Sequence, residues 1–374
     1  ITQRLPVRIR AVAEGTRVPA LNVLATIENT DPACAWLTSY LETALLRVWY
    51  PTTVATNSWA TKQVIAQHLE RSGDMAGLPF KLHDFGARGV SSLESALIGG
   101  MAHLVNFQGT DTMSALLGAR AYYAEPMAGF SIPAAEHSTI TAWGREGEAD
   151  AYRNMLRQFA KPGSLVAVVS DSYDLDHAVK ALWGRELRQA VIESGATVVI
   201  RPDSGEPAAI VLRTVQSLAA AYGSDLNAKG FKVLRRVRVI QGDGITRESI
   251  HGILAALEQH GYSADNVAFG QGGALLQIVN RDSLRFAMKC SAVQIDGQWR
   301  DVFKDPVTDP DKRSKGGRLT LLQRGDDFAT VRLESPAHAE HLEAGWRDAL
   351  RTVFEDGRLL VDDTFARIRG RAAA

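Results

Sequence analysis

The stretch VVIRPDSGEP (residues 198–207) decides how this chain folds. Val198, Val199 and Ile200 make a short apolar run of the kind that forms a strand buried on both faces. The run stops within one residue at Arg201, Pro202, Asp203, Ser204 and Gly205. One reading is an ordinary strand-to-helix turn, with Ser204 or Asp203 capping a helix from about Pro207. The other is a strand that delivers an arginine and an aspartate to a site. The remaining strands decide between them.

Upstream, KLHDFGARG (81–89) precedes SLESALIGGMAHL, and HLVNFQGTDT (103–112) precedes TMSALLGARAYY. GFSIPAAEHST (129–139) leads to a segment ending near Phe159, and SLVAVVSDSYD (164–174) precedes HAVKALWGRELRQAVIES. Downstream, VRVIQGDGI (237–245) runs into TRESIHGILAALEQHG, which Thr246 caps, and NVAFGQGGA (266–274) runs into LLQIVNRDSL. About seven strand-then-helix units, spaced by roughly 25–40 residues, predict a parallel α/β sheet or barrel.

The flanks read differently. VRIRAVAEG and LNVLATIENT make the first thirty residues β-rich, and helical stretches follow at about 35–49 and 56–71. Beyond Met288 the β texture returns, with Asp296-Gly297 as a hairpin turn inside SAVQIDGQWRDVF, then RLTLLQRG and FATVRLES. The expected organisation is a barrel over 51–287, with 1–50 and 288–374 joined in a second, β-rich domain. Residues 331–374 carry no motif beyond completing that domain.

Composition sets the outer limits. The 374 residues are 45% hydrophobic and 22% charged, ample for a core. The 42 basic and 42 acidic residues cancel, so a nucleic-acid partner held by a basic surface is not expected. No apolar run reaches the roughly 18 residues of a membrane span. Cys34 and Cys290, far apart in sequence, suit a reducing, cytoplasmic setting and neither a disulfide scaffold nor a zinc site. The chain begins with Ile and not Met, so the gene is expected to begin earlier.

Nearly every unit ends its strand in polar or glycine-rich residues. These are Asp84 and Arg88, Asp111, Glu136 and His137, Asp171 and Asp174, Arg201 and Asp203, Gly242 and Asp243, and Gly270, Gly272 and Gly273. In a parallel barrel the carboxyl ends of all strands meet on one face, where active sites are built. Turn chemistry accounts for any one ending but not for carboxylates, arginines and a histidine recurring at most of them. AFGQGGA is a glycine-rich turn of the phosphate-binding type, a weak pattern when isolated. Asp171, Asp203 and Asp243 suit Mg²⁺ or ribose hydroxyls, with helix capping as the plain alternative. KDPVTDPDKRSKGGR (304–318) holds five cations, Lys304, Lys312, Arg313, Lys315 and Arg318, against three aspartates. It reads either as a solvated loop or as a clamp for polyphosphate. His137 is a structural histidine, a general base or a phosphoryl acceptor. Phosphate, ribose and Mg²⁺ are what the residue types alone point to.

In this order, HDFGARGVSS, VNFQGTDT, PAAEHSTITAWG, VVSDSYD, IRPDSG, VIQGDG, VAFGQGG and FKDPVTDPDKRSKGGRL resemble segments of the nicotinamide phosphoribosyltransferase family. The resemblance runs over about residues 5–330. It implies the type II phosphoribosyltransferase fold, an irregular parallel α/β barrel with a second β-rich domain formed by the chain ends, working as a homodimer with active sites at the interface. It also implies conversion of nicotinamide and phosphoribosyl pyrophosphate to nicotinamide mononucleotide and pyrophosphate, with Mg²⁺. By the same resemblance Phe85 stacks on the pyridine ring, Asp111 accepts from the carboxamide, and Arg201 lies against base and phosphates. Asp203 and Asp243 hold the ribose beside Gly242, Asp171 and Asp203 lie near Mg²⁺, and Gly272 and Gly273 cradle the 5′-phosphate. Arg88, Lys304 and Lys312 meet the pyrophosphate, and Arg281 and Lys289 reach the neighbouring subunit's site. His137 matches a histidine phosphorylated by ATP in an optional reaction.

The physics of the reaction agrees. Loss of pyrophosphate leaves an oxocarbenium-like ribose, so placed cations and a stacked base suffice and no protein nucleophile is required. A buried Asp111 would accept from an amide and repel a carboxylate, which ranks nicotinate second as substrate. Two departures stand out. The family's N-terminal segment, with a DSYK tyrosine that stacks on the other face of the base, is absent here, and Ala287 replaces a family serine. They keep open a third reading, a non-catalytic binding or interaction protein, or an inert fragment that still binds the mononucleotide.

Overall fold

The computed structural model describes residues 4–308 and 313–374. It divides into two compact units, one of Pro51–Asn280 and one of Ile1–Tyr50 with Arg281–Ala374.

Six parallel strands form the first unit's sheet: β1 (Leu82–Asp84), β2 (Gly109–Thr110), β3 (Leu165–Val169), β4 (Thr197–Arg201), β5 (Val237–Gln241) and β6 (Val267–Gln271). Their order is β2-β1-β6-β5-β4-β3. The ring closes through the segment from Phe130 to Ala135. On one side Phe130 N donates to Gln108 O at 2.7 Å and its carbonyl accepts from Thr110 N at 3.0 Å. On the other, Ala167 N donates to Pro133 O and Ala135 N to Ala167 O, both at 2.9 Å. Pro133 has no N–H to give, which keeps this seventh member from being a regular strand.

Strand alternation sorts the side chains into two layers. Val166, Val168, Val198, Ile200, Val237, Val239, Val267 and Phe269 face outward into one core shared with the surrounding helices. Those helices include α1 (Trp49–Ser72), α2 (Leu93–Leu104), α3 (Met113–Tyr123), α4 (Glu148–Phe159), α5 (Pro207–Tyr222) and α6 (Arg247–Gln259). Ala167, Val199 and Ile240 face inward, with Phe85, Ile132 and Ala268 packed on them. The two expected helices before the barrel are bounded differently. Short pieces at Leu37–Tyr40 and Glu42–Leu45 precede α1, which begins earlier than about residue 56. Thr246 caps α6 as expected, with Ser249 completing a capping box.

At the amino end of the strands, buried Lys81 donates through Nζ to the carbonyls of Ala264, Asp265 and Val267 at 2.9–3.1 Å. Burial pushes its ammonium down to about 8. That end of a barrel carries stability, and the chemistry collects at the other.

In the second unit the two chain ends pair directly. Val7–Ala11 lies antiparallel between Ala25–Asn29 and Arg351–Glu355, with Arg358–Leu359 at the edge. A second sheet joins Leu319–Arg324 to Asp327–Arg332 and Arg347–Asp348. The hairpin of Ala292–Ile295 and Gln298–Asp301 turns at Asp296 (φ 50°) and Gly297 (φ 74°), as the Asp-Gly pair predicts.

The final helix, Phe365–Ala373, is tied down by Asp363. Its carboxylate accepts from Arg371 Nη2 at 2.6 Å and also from Arg351. Arg371's hydrogen bond, with help from Arg351, holds this carboxyl down at about 2 against an ordinary 3.8. A depressed carboxyl pKa stabilises the fold above the ordinary value and loses that effect as pH falls through the folded value. Asp363→Asn is therefore expected to lower stability at pH 7 by about 1–3 kcal/mol. The gap to wild type should close as pH falls from about 4 towards 2, which thermal melts across that range would read.

Candidate active site

Alternation along the strands also builds the mouth of the barrel. Arg201 comes two residues after Val199, Gly242 two after Ile240, and Gly270 two after Ala268, so all three point to the inner face. The Arg201 guanidinium grips Asp203 at both oxygens, Nε to Oδ1 at 3.1 Å and Nη2 to Oδ2 at 2.7 Å. Asp203 is thus not the cap of α5; Glu206 is, accepting from Ala208 N and Ala209 N. Gly205, at φ +92°, lets the chain turn between the two. Gly242 lies so close that a Cβ there would stand 2.9 Å from Asp203 Oδ1.

Across the mouth, the Arg201 guanidinium lies 5.4 Å from the centre of the Phe85 ring. Phe85 N donates to Gln271 O at 3.0 Å, which fixes the turn after β1 to the end of β6. A Cβ on Gly270 would fall 1.8 Å from Phe85 Cε2, so glycine is what leaves the ring its place. Asp111 follows β2, with its N–H on Asp84 O at 2.9 Å and its Oδ1 accepting from Ser131 Oγ at 2.5 Å. Contrary to the expected buried acceptor, Asp111 is exposed, because it stands on the loop beyond the two residues of β2. Ser131 lies on the closing segment and was not legible as a site residue; nothing in GFSIP marks it.

His137 opens a short helix after that segment, and its Nε2 meets Asp171 Oδ1 at 2.9 Å. The Asp171 side chain is nearly covered, at 6% exposure, whereas that of His137 is 41% exposed. Just before Asp171, Ser170 N donates to Arg201 O at 2.9 Å, and Ser170 Oγ accepts from Trp183 Nε1 at 3.0 Å. The first bond ties the β3 turn to β4 and the second ties it to the helical stretch that follows. Asp174 proves to be a helix cap, accepting from His177 N at 3.0 Å.

The remaining positions are simpler. Asp243 is exposed, and its carbonyl accepts from Gln241 Nε2 at 3.0 Å. Gly272 precedes the short helix Gly273–Leu276, and a Cβ on Gly273 would meet no atom within 4 Å. The first N–H groups of such a helix have no partner in its own ladder. Arg88 is exposed and within electrostatic reach of Glu136. Arg281, Lys289 and Lys304 belong to the unit of the chain ends. There Arg281 donates to Phe286 O, Lys289 pairs with Glu42 at 2.6 Å, and Lys304 N meets Ser314 Oγ. Lys312 lies outside the described residues. The barrel mouth therefore brings together Phe85, Asp111, Arg201, Asp203 and Gly242, with His137 and Asp171 on the adjoining strand ends.

Known proteins resemble this chain over nearly its whole length. A nicotinamide phosphoribosyltransferase of Xanthomonas campestris pv. campestris (strain 8004) is 59% identical over 376 residues, 99% of this chain and 80% of its own length. One from Acinetobacter baylyi is 33% identical over 392 residues, 99% of this chain and 76% of its own length. Among crystal structures, nicotinate-nucleotide pyrophosphorylase from Pyrococcus furiosus superposes with a TM-score of 0.63 at 17% identity, covering 98% of this chain and 80% of that one. That last likeness concerns the fold. The pattern of the nicotinate phosphoribosyltransferase (NAPRTase) family matches residues 80–358, and the chain belongs to that family.

Proposed function

We propose that the protein joins nicotinamide to the ribose of phosphoribosyl pyrophosphate, releasing pyrophosphate and forming nicotinamide mononucleotide. The observation that carries this reading is the 59% identity to a nicotinamide phosphoribosyltransferase over 99% of this chain, beside a barrel mouth where Arg201 lies between Phe85 and Asp203. The base lies on Phe85 with its amide towards Asp111, and Arg201 supplies fixed positive charge beside it. Asp203 and Asp243 receive the ribose hydroxyls, and the backbone of Gly272 and Gly273 receives the 5′-phosphate. Arg88 faces the departing pyrophosphate. The rate follows from placement and charge, since the transition state needs an oriented base and a stabilised leaving group.

The carboxylates offered to a cation are Asp171, already touching His137, and Asp203, already gripped by Arg201. Among the described residues no group of three or more His, Cys, Asp or Glu side chains forms a ready cage. Such a donor set suits Mg²⁺, which keeps waters and takes substrate phosphate oxygens beside one or two carboxylates. The ion's part is to neutralise charge on the pyrophosphate. ATP acts as an optional donor to His137, whose Nε2 is engaged by Asp171 and whose Nδ1 is the nucleophilic nitrogen.

We also propose a homodimer in the cytoplasm. Leu93 on α2 with Met113 and Leu117 on α3 are 66–78% exposed and give it an apolar surface. No helix among the described residues is long and apolar enough to cross a membrane. Nicotinate is the second reading, favoured by the exposure of Asp111, since water screens its charge.

The test is product formation from each base with phosphoribosyl pyrophosphate and Mg²⁺, with and without labelled ATP. Nicotinamide mononucleotide is expected, with acid-labile label on wild type and none on His137→Ala. Product from nicotinate alone would transfer the reading to the acid, and silence with both bases would overturn it.

A further inference from the structure

Asp84 closes β1 at the mouth end of the barrel, but its side chain points to the outer face of the sheet. Leu82, two residues before it, belongs to the outer core, while Phe85, the next residue, turns inward. The Asp84 side chain is fully buried, at 0% exposure. Its Oδ1 accepts from Gly86 N at 2.7 Å, fixing the turn that carries Phe85. Its Oδ2 is sealed from water, and the one polar side chain seen to act on it among the described residues is the neighbouring Thr112 hydroxyl, whose geometry falls short of a regular hydrogen bond. On α2, Gly100 leaves just enough room, for a Cβ there would stand 3.2 Å from Oδ2.

A buried carboxylate held by one backbone N–H and a poorly aligned hydroxyl is an expensive way to hold a turn. Asparagine would make the same bond to Gly86 N and would offer an N–H₂ group towards Thr112, without the charge. The fold therefore does not need the charge. The group that does feel it is Asp111, whose N–H rests on Asp84 O at 2.9 Å and whose carboxylate interacts with that of Asp84.

We infer that Asp84 is a specificity-determining residue, a second and sealed negative charge behind Asp111 that disfavours an anionic base. Asp111 is exposed, and its field is screened by water; Asp84 is enclosed by protein, where a charge acts over a longer reach. Burial pushes the Asp84 carboxyl up to about 6, against the pull of the Gly86 N–H and the Thr112 hydroxyl, so it stays mainly ionised near pH 7.5. His83 and His103, close by on β1 and α2, are both shifted down by burial and bring no cation to neutralise it.

The inference rests on the nicotinamide reading, and one experiment separates the two. Wild type, Asp84→Asn and Asp84→Ser are compared for kcat/KM with nicotinamide and with nicotinate, using an inhibition constant where nicotinate is not turned over. Thermal melts confirm that each variant is folded. Both substitutions keep an acceptor for Gly86 N–H. The expected result is a shift of the amide-to-acid ratio towards nicotinate by about tenfold, the order for removing one charge nearby at an effective dielectric of about 20. A structural role would scale both bases together, and an unmoved ratio overturns the inference. So does failure of both variants to fold, which would make the carboxylate a structural necessity. A wild type that does not use nicotinamide sinks the underlying reading instead.

Discussion

Arg201→Ala is expected to lower kcat/KM for mononucleotide synthesis by about a thousandfold. Arg201 holds both oxygens of Asp203, in side chains only 19% and 13% exposed. Without that fork Asp203 loses its place for the substrate, which costs about 1.5–3 kcal/mol of transition-state binding, the order of a hydrogen bond to a charged group. Loss of the cation beside Phe85 adds to this in the substrate complex. At about 1.4 kcal/mol per tenfold, the two together reach about 10³. Arg201→Lys keeps the charge but not the planar fork, so it should recover only part of the rate. Steady-state kinetics beside thermal melts would check this, and a folded Arg201→Ala of near wild-type rate would remove Arg201 from the site.

Gly270→Ala should act almost as strongly through a single methyl group. The new carbon would fall 1.8, 2.1 and 2.6 Å from three atoms of the Phe85 ring, which must leave its place. Overpacking of this kind costs about 1–3 kcal/mol, and here the displaced group is the proposed base platform. The KM for the base is expected to rise by up to about a hundredfold, with a smaller change in kcat. A double-mutant cycle gives the decisive comparison. In a Phe85→Ala background the extra methyl has no ring to strike, and Gly270→Ala should then be close to silent. Equal effects in both backgrounds would show that the glycine serves the backbone and not Phe85.

The barrel was legible because its strands announce themselves twice. Runs such as VVI and LVAVV are apolar on both faces, and each stops at a polar residue where the chain leaves the core. The same register puts Arg201 and Gly242 on the inner face, so the site could be read from strand ends. What was not legible depends on which of several neighbouring or distant partners a side chain takes. Nothing local in RPDSGEP says that Asp203 turns back to Arg201 and leaves the cap to Glu206. Nothing in GFSIP says that Ser131 meets Asp111, twenty positions away. Asp84 looked like one more polar strand end, but its burial is decided by Gly100 on a helix that packs over it. Asp111 went the other way, since a strand of two residues leaves its loop in water.

The way the ring of strands is completed has a kinetic consequence. β3 and β4 run together over five residue pairs, whereas the segment from Phe130 to Ala135 is stitched by two bonds on each side. Partial opening of a native protein starts where the fewest backbone bonds must break, at free energies below that of global unfolding. The barrel thus has two thin seams, this segment and the two-residue pairing of β1 with β2, and Ser131 sits inside the first while His137 begins two residues after its end. Hydrogen exchange of the few bonded amides in that run, compared with those of β3 and β4, would measure how often this seam opens.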